Sequence, residues 1–221
     1  MTLHLSRLTL NPFSKEVIRD LADPYDMHRT LSRAAEIQAD VLTPFLWRQE
    51  QSGPTEPPVV LIQSEKELRW EALPEGFTSS IEHRSWNPDA LLLAGQRVRF
   101  RVVANPTVNR VPKPKPGEEP SPLPARGRRK RLPLRSEADQ LEWIERQSNR
   151  LGLTDVIAAV SCSSQIRSNR KPNHPLTVCT AQFDGVGTIA DPEALSSGLR
   201  HGIGHARMLG LGLVSLAPVR A

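Results

Sequence analysis

The 221-residue sequence predicts an α+β fold built from two ferredoxin-like (RRM-like) units in tandem. Over residues 96–221, strand-like and helix-like segments follow in the order strand, helix, strand, strand, helix, strand, which is the βαββαβ order of that unit. Residues 1–92 repeat this order in a degenerate form. A hydrophobic content of 38% is enough to fill the cores of two compact domains of about 100 residues each. Because such a fold hosts many functions, the function has to be inferred from particular side chains.

The first unit, residues 1–92, begins with a strand over 3–10, where side chains alternate in character until Asn11-Pro12 ends the segment. The stretch DPYDMHRTLSRAAEIQADVL (23–42) follows with apolar residues at helical spacing and predicts a helix. The segments FLWRQEQ (45–51) and PVVLIQS (58–64) predict two strands joined by a turn. Residues 65–97 are weakly patterned and predict at most a short helix.

The second unit, residues 96–221, begins with the strongly alternating strand QRVRFRVVAN (96–105). Its apolar residues Val98, Phe100 and Val102 should face a core, with arginines outside. Further along the unit we expect a helix over 136–151 with Ser136 as its N-cap, strands at 156–161 and 178–184 around a basic hairpin (162–176), a helix over 191–200 and a strand at 214–216.

Positive charge is concentrated in two segments of the second unit. The chain carries a net charge of +5, whereas residues 106–135 alone carry nine Lys or Arg against two Glu and eight of the twenty prolines. That composition predicts an exposed loop, and the hairpin 162–176 is a second basic protrusion. Together they form a patch suited to a phosphate backbone, although a charge run can equally be a solvated loop. With aromatic residues at only 5%, hairpin or duplex RNA fits better than stacked single strands.

The only tyrosine of the chain stands three residues before a histidine, in DPYDMHRTL (23–31). With Asp23 as N-cap and Pro24 at the first helical position, Tyr25 and His28 share one face of the first helical turns. The positive end of the helix dipole disfavours a charged imidazole, so His28 should be neutral and able to act as a general base. The alternative is that both side chains are packing residues.

The C-terminal stretch HGIGHARMLGLGLVSLAP (201–218) is punctuated by four glycines around one arginine. Glycine lets a backbone approach a ligand and present N–H groups to an anion, and the stretch lacks the Gly-Lys-Ser/Thr of a Walker loop. A purely structural glycine-rich loop explains the pattern equally well. The predicted RNA-binding residues of this stretch are Gly202, Gly204, Arg207, Gly210 and Gly212.

No metal site or other cofactor is predicted. Cys162 and Cys179 show neither metal-ligand spacing nor a disulfide framework, and no carboxylate cluster accompanies the scattered histidines. No window approaches the roughly 18 apolar residues of a membrane span, and the first residues lack the apolar core of a signal peptide. The sequence therefore predicts a cytoplasmic protein. The histidines are His4, His28, His83, His174, His201 and His205.

Taken together, these motifs resemble the CasE-type CRISPR-associated endoribonucleases, which process precursor CRISPR RNA in type I-E systems. The resemblance rests on LTLNP at the end of the first strand, DLADPYDMHRTLSRA, RVRFRVVANPT, LEWIERQ and GIGHARMLGLGLVSLAP, and runs nearly from end to end of the chain. It implies a metal-free cut at the 3′ base of a repeat stem-loop, which leaves a 2′,3′-cyclic phosphate. The product RNA stays bound, and the protein becomes a subunit of the Cascade complex with its other subunits.

By position, the resemblance implies that His28 is the catalytic histidine and Tyr25 its companion. Arg29 matches an RNA-contacting arginine, whereas Arg33 and Arg207 stand where relatives can carry lysine. The basic hairpin matches the element that enters the major groove of the stem, and from it we predict three RNA-binding residues: Arg167, Arg170 and Lys171.

The residues and the resemblance agree on a reaction in which a ribose 2′-hydroxyl attacks the adjacent phosphate. It needs a base, an acid and positive charge, and the sequence leaves open which of Tyr25 and His28 is base or acid. One alternative is a non-catalytic scaffold that only binds an RNA hairpin. Another is an unrelated α+β enzyme that binds a small anion at the glycine-rich stretch.

Overall fold

A computed structural model of the chain describes residues 2–38, 41–111, 129–168 and 176–219. Its first half contains, in chain order, β1 (Leu3–Leu10), α1 (Lys15–Ala22), α2 (Pro24–Ala35), β2 (Glu36–Gln38), β3 (Val41–Leu42), β4 (Phe45–Gln49), β5 (Val59–Ser64), a 3-10 turn (Trp70–Ala72) and β6 (Thr78–Trp86). Its second half contains α3 (Pro88–Leu91), β7 (Arg97–Ala104), β8 (Thr107–Arg110), β9 (Lys130–Pro133), α4 (Glu137–Arg150), β10 (Leu153–Ser168), β11 (Leu176–Ile189), α5 (Pro192–His201), a 3-10 turn (Arg207–Leu209) and β12 (Val214–Pro218).

The predicted tandem ferredoxin-like fold is confirmed by two four-stranded antiparallel sheets with equivalent topology. The first sheet has the order β4-β5-β1-β6 and the second the order β10-β11-β7-β12. Within each half, the strands therefore lie in the order second, third, first, fourth. This is the order that a βαββαβ chain produces when each helix crosses over its sheet.

Two elements of the first half, α1 and β6, were not predicted from the sequence. Helix α1 occupies what was predicted as a loop; Ser14 caps it and Val17 is buried on its inner face. Strand β6 lies in the weakly patterned region and is exposed along almost its whole length. Its residues therefore lack the apolar alternation by which a half-buried strand is recognised. Between β5 and β6, where the ferredoxin-like order has its second helix, the described residues of this half form the 3-10 turn.

Helix α2 begins where predicted and ends earlier than predicted. It stops at Ala35 rather than continuing towards residue 42, because Glu36 adopts an extended backbone and the Ala35 carbonyl accepts a hydrogen bond from the backbone N–H of Thr43 at 2.8 Å. The chain then forms the β2–β3 ribbon. The inner face of α2 buries Met27 and Leu31 against β1 and β5.

The sequence predicts an exposed loop for the basic segment 106–135, whereas the structure has strands at both of its ends. Its two ends pair as the antiparallel ribbon β8–β9, with Thr107 opposite Pro133 and Arg110 opposite Lys130. The partly buried Val108 packs against the core of the second half and anchors the ribbon there. Residues 112–128 lie outside the described part of the chain.

The core of the second half follows the predicted alternation of β7. Val98, Phe100 and Val102 are buried, whereas the arginines between them are exposed. Helix α4 starts after Ser136, whose Oγ accepts a hydrogen bond from the N–H of Asp139 as expected for an N-cap. The Leu3 side chain also enters this core, although its strand belongs to the other sheet.

Arg48 on β4 joins the two halves. Its side chain is 3% exposed, and Nη1 donates to the carbonyl oxygens of Arg101 and Leu213, each at 3.2 Å. Nη2 donates to Ser215 Oγ at 3.0 Å and lies 2.6 Å from the carboxylate of Glu50. One guanidinium from the first sheet thus satisfies acceptors on β7 and at the start of β12. Among the described residues, no helix is long and apolar enough to span a membrane.

Candidate active site and nucleic-acid interface

The N-terminus of α2 holds the tyrosine and the histidine as predicted. Asp23 is the N-cap, and its Oδ1 accepts a hydrogen bond from the Tyr25 N–H at 3.0 Å. Pro24 occupies the first helical turn, so Tyr25 and His28 stand three residues apart in regular helix. Both side chains are partly buried. The cap therefore fixes the pair one turn from the end of the helix.

The His28 ring is half-buried against Phe45 of β4. The ring centroids are 5.1 Å apart with an interplanar angle of 27°. Burial lowers the pKa of His28 below its ordinary value of 6.5, because desolvation penalises the charged imidazolium. The sequence pointed to the helix dipole as the cause of a neutral His28, whereas the structure identifies burial. Nδ1 is inaccessible and has no hydrogen-bond partner among the described residues, which leaves Nε2 to act on a substrate.

Tyr25 connects α2 to the C-terminal segment, the glycine-rich stretch 201–218. It packs against a small apolar cluster formed by Val178 of β11 and by Leu209 and Leu211 of the glycine-rich stretch. Ile166 of β10 packs against the same cluster. The structure therefore brings together three predicted elements: the histidine-bearing helix, the glycine-rich segment and the basic hairpin.

The predicted arginines differ in how free they are. Arg29 is exposed and its Nη2 lies 3.0 Å from Asp26 Oδ1, one turn earlier on α2. Arg33 is exposed and forms no ion pair in the described part of the chain. Arg207 is exposed as well, and its Nη1 donates to the carbonyl oxygen of His201. Because surface ion pairs contribute little, the guanidinium of Arg29 can exchange its carboxylate for a phosphate at small cost.

The glycine-rich segment does not present its N–H groups as the sequence suggested. The backbone N–H groups of Gly202, Gly210 and Gly212 donate to the carbonyl oxygens of Gly198, Arg207 and Val103, respectively. Three of the four predicted glycines therefore have no free N–H for an anion. Gly204 lies in the same segment. A direct contact of these glycines with RNA stays a prediction.

Close packing explains glycine at two of these positions. Gly210 has φ +77°, and a Cβ there would lie 2.9 Å from Cζ3 of Trp47 on β4. Gly212 has φ +87°, and a Cβ would collide with the carbonyl of Ile203. Both positions need the left-handed region and have no space for a side chain. Gly210 thus lets the C-terminal segment lie directly against Trp47 of the first half, and Gly212 lets the segment fold back on Ile203.

The basic hairpin extends beyond the second sheet. Strands β10 and β11 pair from Leu153 opposite Ile189 to Ser168 opposite Leu176, whereas β7 accompanies β11 only over 181–188. Arg167 is exposed on the part that extends past β7. Arg170 and Lys171, the other two predicted hairpin residues, lie outside the described residues.

An open groove of about 830 Å³ runs between the two halves beside this site. Pro24, Arg48 and Glu50 line it from the first half, and Arg167 and Gly210 line it from the second. It connects the start of α2 to the hairpin. No group of three or more His, Cys, Asp or Glu side chains within the described ranges is arranged to hold a metal ion.

Sequence reasoning missed Phe45, Trp47 and Arg48, the three β4 residues that shape the site. The segment FLWRQEQ (45–51) predicted the strand but not its partners. The signal available was one arginine directly after three apolar residues in a predicted strand, because an arginine in such a place is almost never buried unless it is paired.

Comparison with known proteins gives consistent matches over nearly the whole chain. The family model described as CRISPR associated protein matches residues 3–218. The CRISPR-associated endoribonuclease Cse3 of Thermus thermophilus is 34% identical over 229 residues, covering 97% of this chain and 99% of that protein. The Cascade subunit CasE of Escherichia coli K12 is 29% identical over 200 residues, covering 89% and 93%.

A solved structure of Thermus thermophilus Cse3, bound to an RNA that represents a pre-cleavage complex, superposes on this chain with a TM-score of 0.81. The sequences are 34% identical, and the match covers 99% of this chain and 100% of that one. The fold and the order of its elements are therefore shared along the entire chain.

Proposed function

The chain belongs to the family of CRISPR-associated proteins, and from this premise we propose that it is an endoribonuclease that cuts precursor CRISPR RNA. It binds the stem-loop of a repeat, cuts at the 3′ base of the stem and keeps the product RNA as a subunit of Cascade, in the cytoplasm. The relative named as the endoribonuclease Cse3 supports RNA cleavage, and the relative named as the Cascade subunit CasE supports assembly into Cascade.

The observation that carries the proposal is the position of His28. Its imidazole has a pKa lowered by burial, lies one turn from Tyr25, and belongs to a helix packed against the C-terminal segment and the basic hairpin. A general base has to be neutral and within reach of the proton that it takes, and burial favours the neutral form of His28.

The reaction starts from the 2′-hydroxyl of the nucleotide before the cut. His28 Nε2 takes the hydroxyl proton, and the oxygen attacks the adjacent phosphorus to form a phosphorane. The bond to the 5′-oxygen then breaks, and that oxygen receives a proton, for which the Tyr25 hydroxyl is the neighbouring donor. The products are a 2′,3′-cyclic phosphate and a 5′-hydroxyl. We assign the positive charge that stabilises the phosphorane to three arginines: Arg29, Arg33 and Arg207.

The stem of the repeat is held by phosphate contacts and shape. A-form RNA has a deep, narrow major groove, and duplex RNA is bound mainly through its backbone. The part of the β10–β11 hairpin that extends past β7 is a two-stranded ribbon with Arg167 exposed on it. We assign the stem to this hairpin and the base of the stem to α2.

The direct test uses a repeat stem-loop RNA with single-stranded flanks and a DNA of the same sequence, both in EDTA. We expect one cut at the 3′ base of the RNA stem and none in DNA, since DNA lacks the nucleophile. Dependence of the cut on added magnesium or manganese would argue against a reaction carried by the side chains of α2. RNA that is bound and never cut would support a scaffold.

The pH dependence of kcat/KM tests the role of His28, because this ratio reports the groups of the free enzyme. A base must be neutral, so the rate should rise with pH through the pKa of His28 and then level off. Because burial lowers that pKa, the increase in kcat/KM with pH should lie below pH 6.5. His28→Ala should abolish this pH dependence. A rate that instead falls as the pH increases through this range would make His28 the acid.

A further inference from the structure

We propose that the β8–β9 ribbon and the part of the β10–β11 hairpin that extends past β7 form a subsite for a backbone phosphate of the bound RNA, held by Arg131 and Arg135. The inference rests on the proposed function and adds a second contact region to it. It also gives a role to the base of the basic segment 106–135.

The subsite is a pocket of about 420 Å³. Arg131 and Thr107 line it from the ribbon, Gln165 and Thr177 from the hairpin, and His205 from the segment before the second 3-10 turn. Its polar side chains thus come from three separate elements. No Asp or Glu is among the lining residues of this pocket.

The charge of the pocket is positive, and no ion pair among the described residues compensates it. Arg131 and Arg135 are exposed, and neither forms an ion pair in the described ranges. The pKa of His205 is lowered by burial and also by the charges of Arg131 and Arg207, so several cations act on the same space. A guanidinium presents a rigid fork of N–H donors that matches phosphate in a bidentate way.

The pocket is continuous with the site of cleavage. Val178 and Ala206 line it and also pack in the cluster that Tyr25 joins. Gln165 lines both this pocket and the groove that leads to the start of α2. An RNA strand held at α2 therefore passes the mouth of the pocket, which favours an RNA phosphate over an acidic protein segment as the occupant.

The test compares wild type with Arg131→Ala/Arg135→Ala in binding a stem-loop RNA that carries one 2′-deoxy nucleotide before the cut site. We expect a Kd about tenfold higher, since two charge-assisted hydrogen-bonding groups are lost. The slope of log K against log salt should flatten by about 1, because fewer counterions are released. Arg131→Lys/Arg135→Lys should retain the slope and lose part of the affinity.

The matched control is Arg146→Ala/Arg150→Ala, which removes two exposed arginines near the C-terminal end of α4. That end leads into the start of β10, whereas the pocket lies at its far end, so the control should bind as wild type does. A wild-type Kd and slope for Arg131→Ala/Arg135→Ala would overturn this inference alone. Wild type that neither binds nor cuts RNA would overturn the proposed function, and with it this inference.

Discussion

His28→Ala is expected to reduce the single-turnover cleavage rate by about 10²–10⁴-fold, the usual contribution of a positioned general base. RNA binding should stay within about threefold of wild type, because the arginines that contact phosphate are left in place. Cleavage is measured with enzyme in excess over labelled stem-loop RNA, and binding by titration of the 2′-deoxy RNA. The comparison separates chemistry from recognition.

His83→Ala is the control for this prediction. It removes a histidine from β6, an exposed strand of the first sheet outside the site, and should leave the rate unchanged. His28→Ala also removes the ring stacked on Phe45, so a thermal melt should accompany the assay. A well-folded His28→Ala that cuts within tenfold of wild type would remove His28 from the mechanism.

Arg48→Met should lower the free energy of unfolding by about 3 kcal/mol, because it leaves the partners of a buried guanidinium without a donor. The carbonyl oxygens of Arg101 and Leu213 would lose their bond to the first half, and the Glu50 carboxylate would lose its cation. Methionine keeps the apolar stem of the side chain, so the effect isolates the charged head. Urea unfolding measures it as a lower midpoint at constant m value.

Arg48→Met should also slow cleavage. Arg48 sits next to Trp47, which packs on Gly210, so movement between the halves shifts the C-terminal segment relative to α2. A displacement of about 1 Å can cost a factor of about 10² in rate. Arg48→Lys should lose much of the same stability, because one ammonium cannot reach the same set of acceptors.

Arg7→Met is the matched control for Arg48→Met. Arg7 pairs with Glu82 at 2.6 Å on the same sheet, but the two side chains are 46% and 66% exposed. Loss of this ion pair should lower the free energy of unfolding by less than about 1 kcal/mol. Equal unfolding midpoints for Arg48→Met and Arg7→Met would show that the bridge between the halves contributes nothing beyond a surface ion pair.

The parts of the fold that sequence reasoning predicted are those fixed by local signals. The start of α2 followed from Asp23-Pro24, the start of α4 from Ser136, and the inward face of β7 from strict alternation. Strand β6 carried no such signal, because both of its faces are exposed and no pressure for apolar residues acts on it. The end of α2 at Ala35 depends on a hydrogen bond from Thr43, beyond the reach of helix periodicity.

The site divides in the same way. Tyr25 and His28 could be paired from sequence because they lie on one helix turn, where spacing determines the geometry. The burial of His28 by Phe45 and the bridge made by Arg48 could not, since these contacts depend on how two strands and two halves pack. The glycines were expected to face an anion, whereas three of their four N–H groups bond within the protein and the missing side chain of Gly210 makes room for Trp47.

Mass spectrometry of the 3′ end of the cleaved stem-loop, after reaction in EDTA, tests the central claim most directly. Attack by the 2′-hydroxyl with His28 as base predicts a 2′,3′-cyclic phosphate on the stem-loop product and a 5′-hydroxyl on the released flank. A 3′-hydroxyl together with a 5′-phosphate would mean that water or a metal-bound hydroxide is the nucleophile, and would contradict the account.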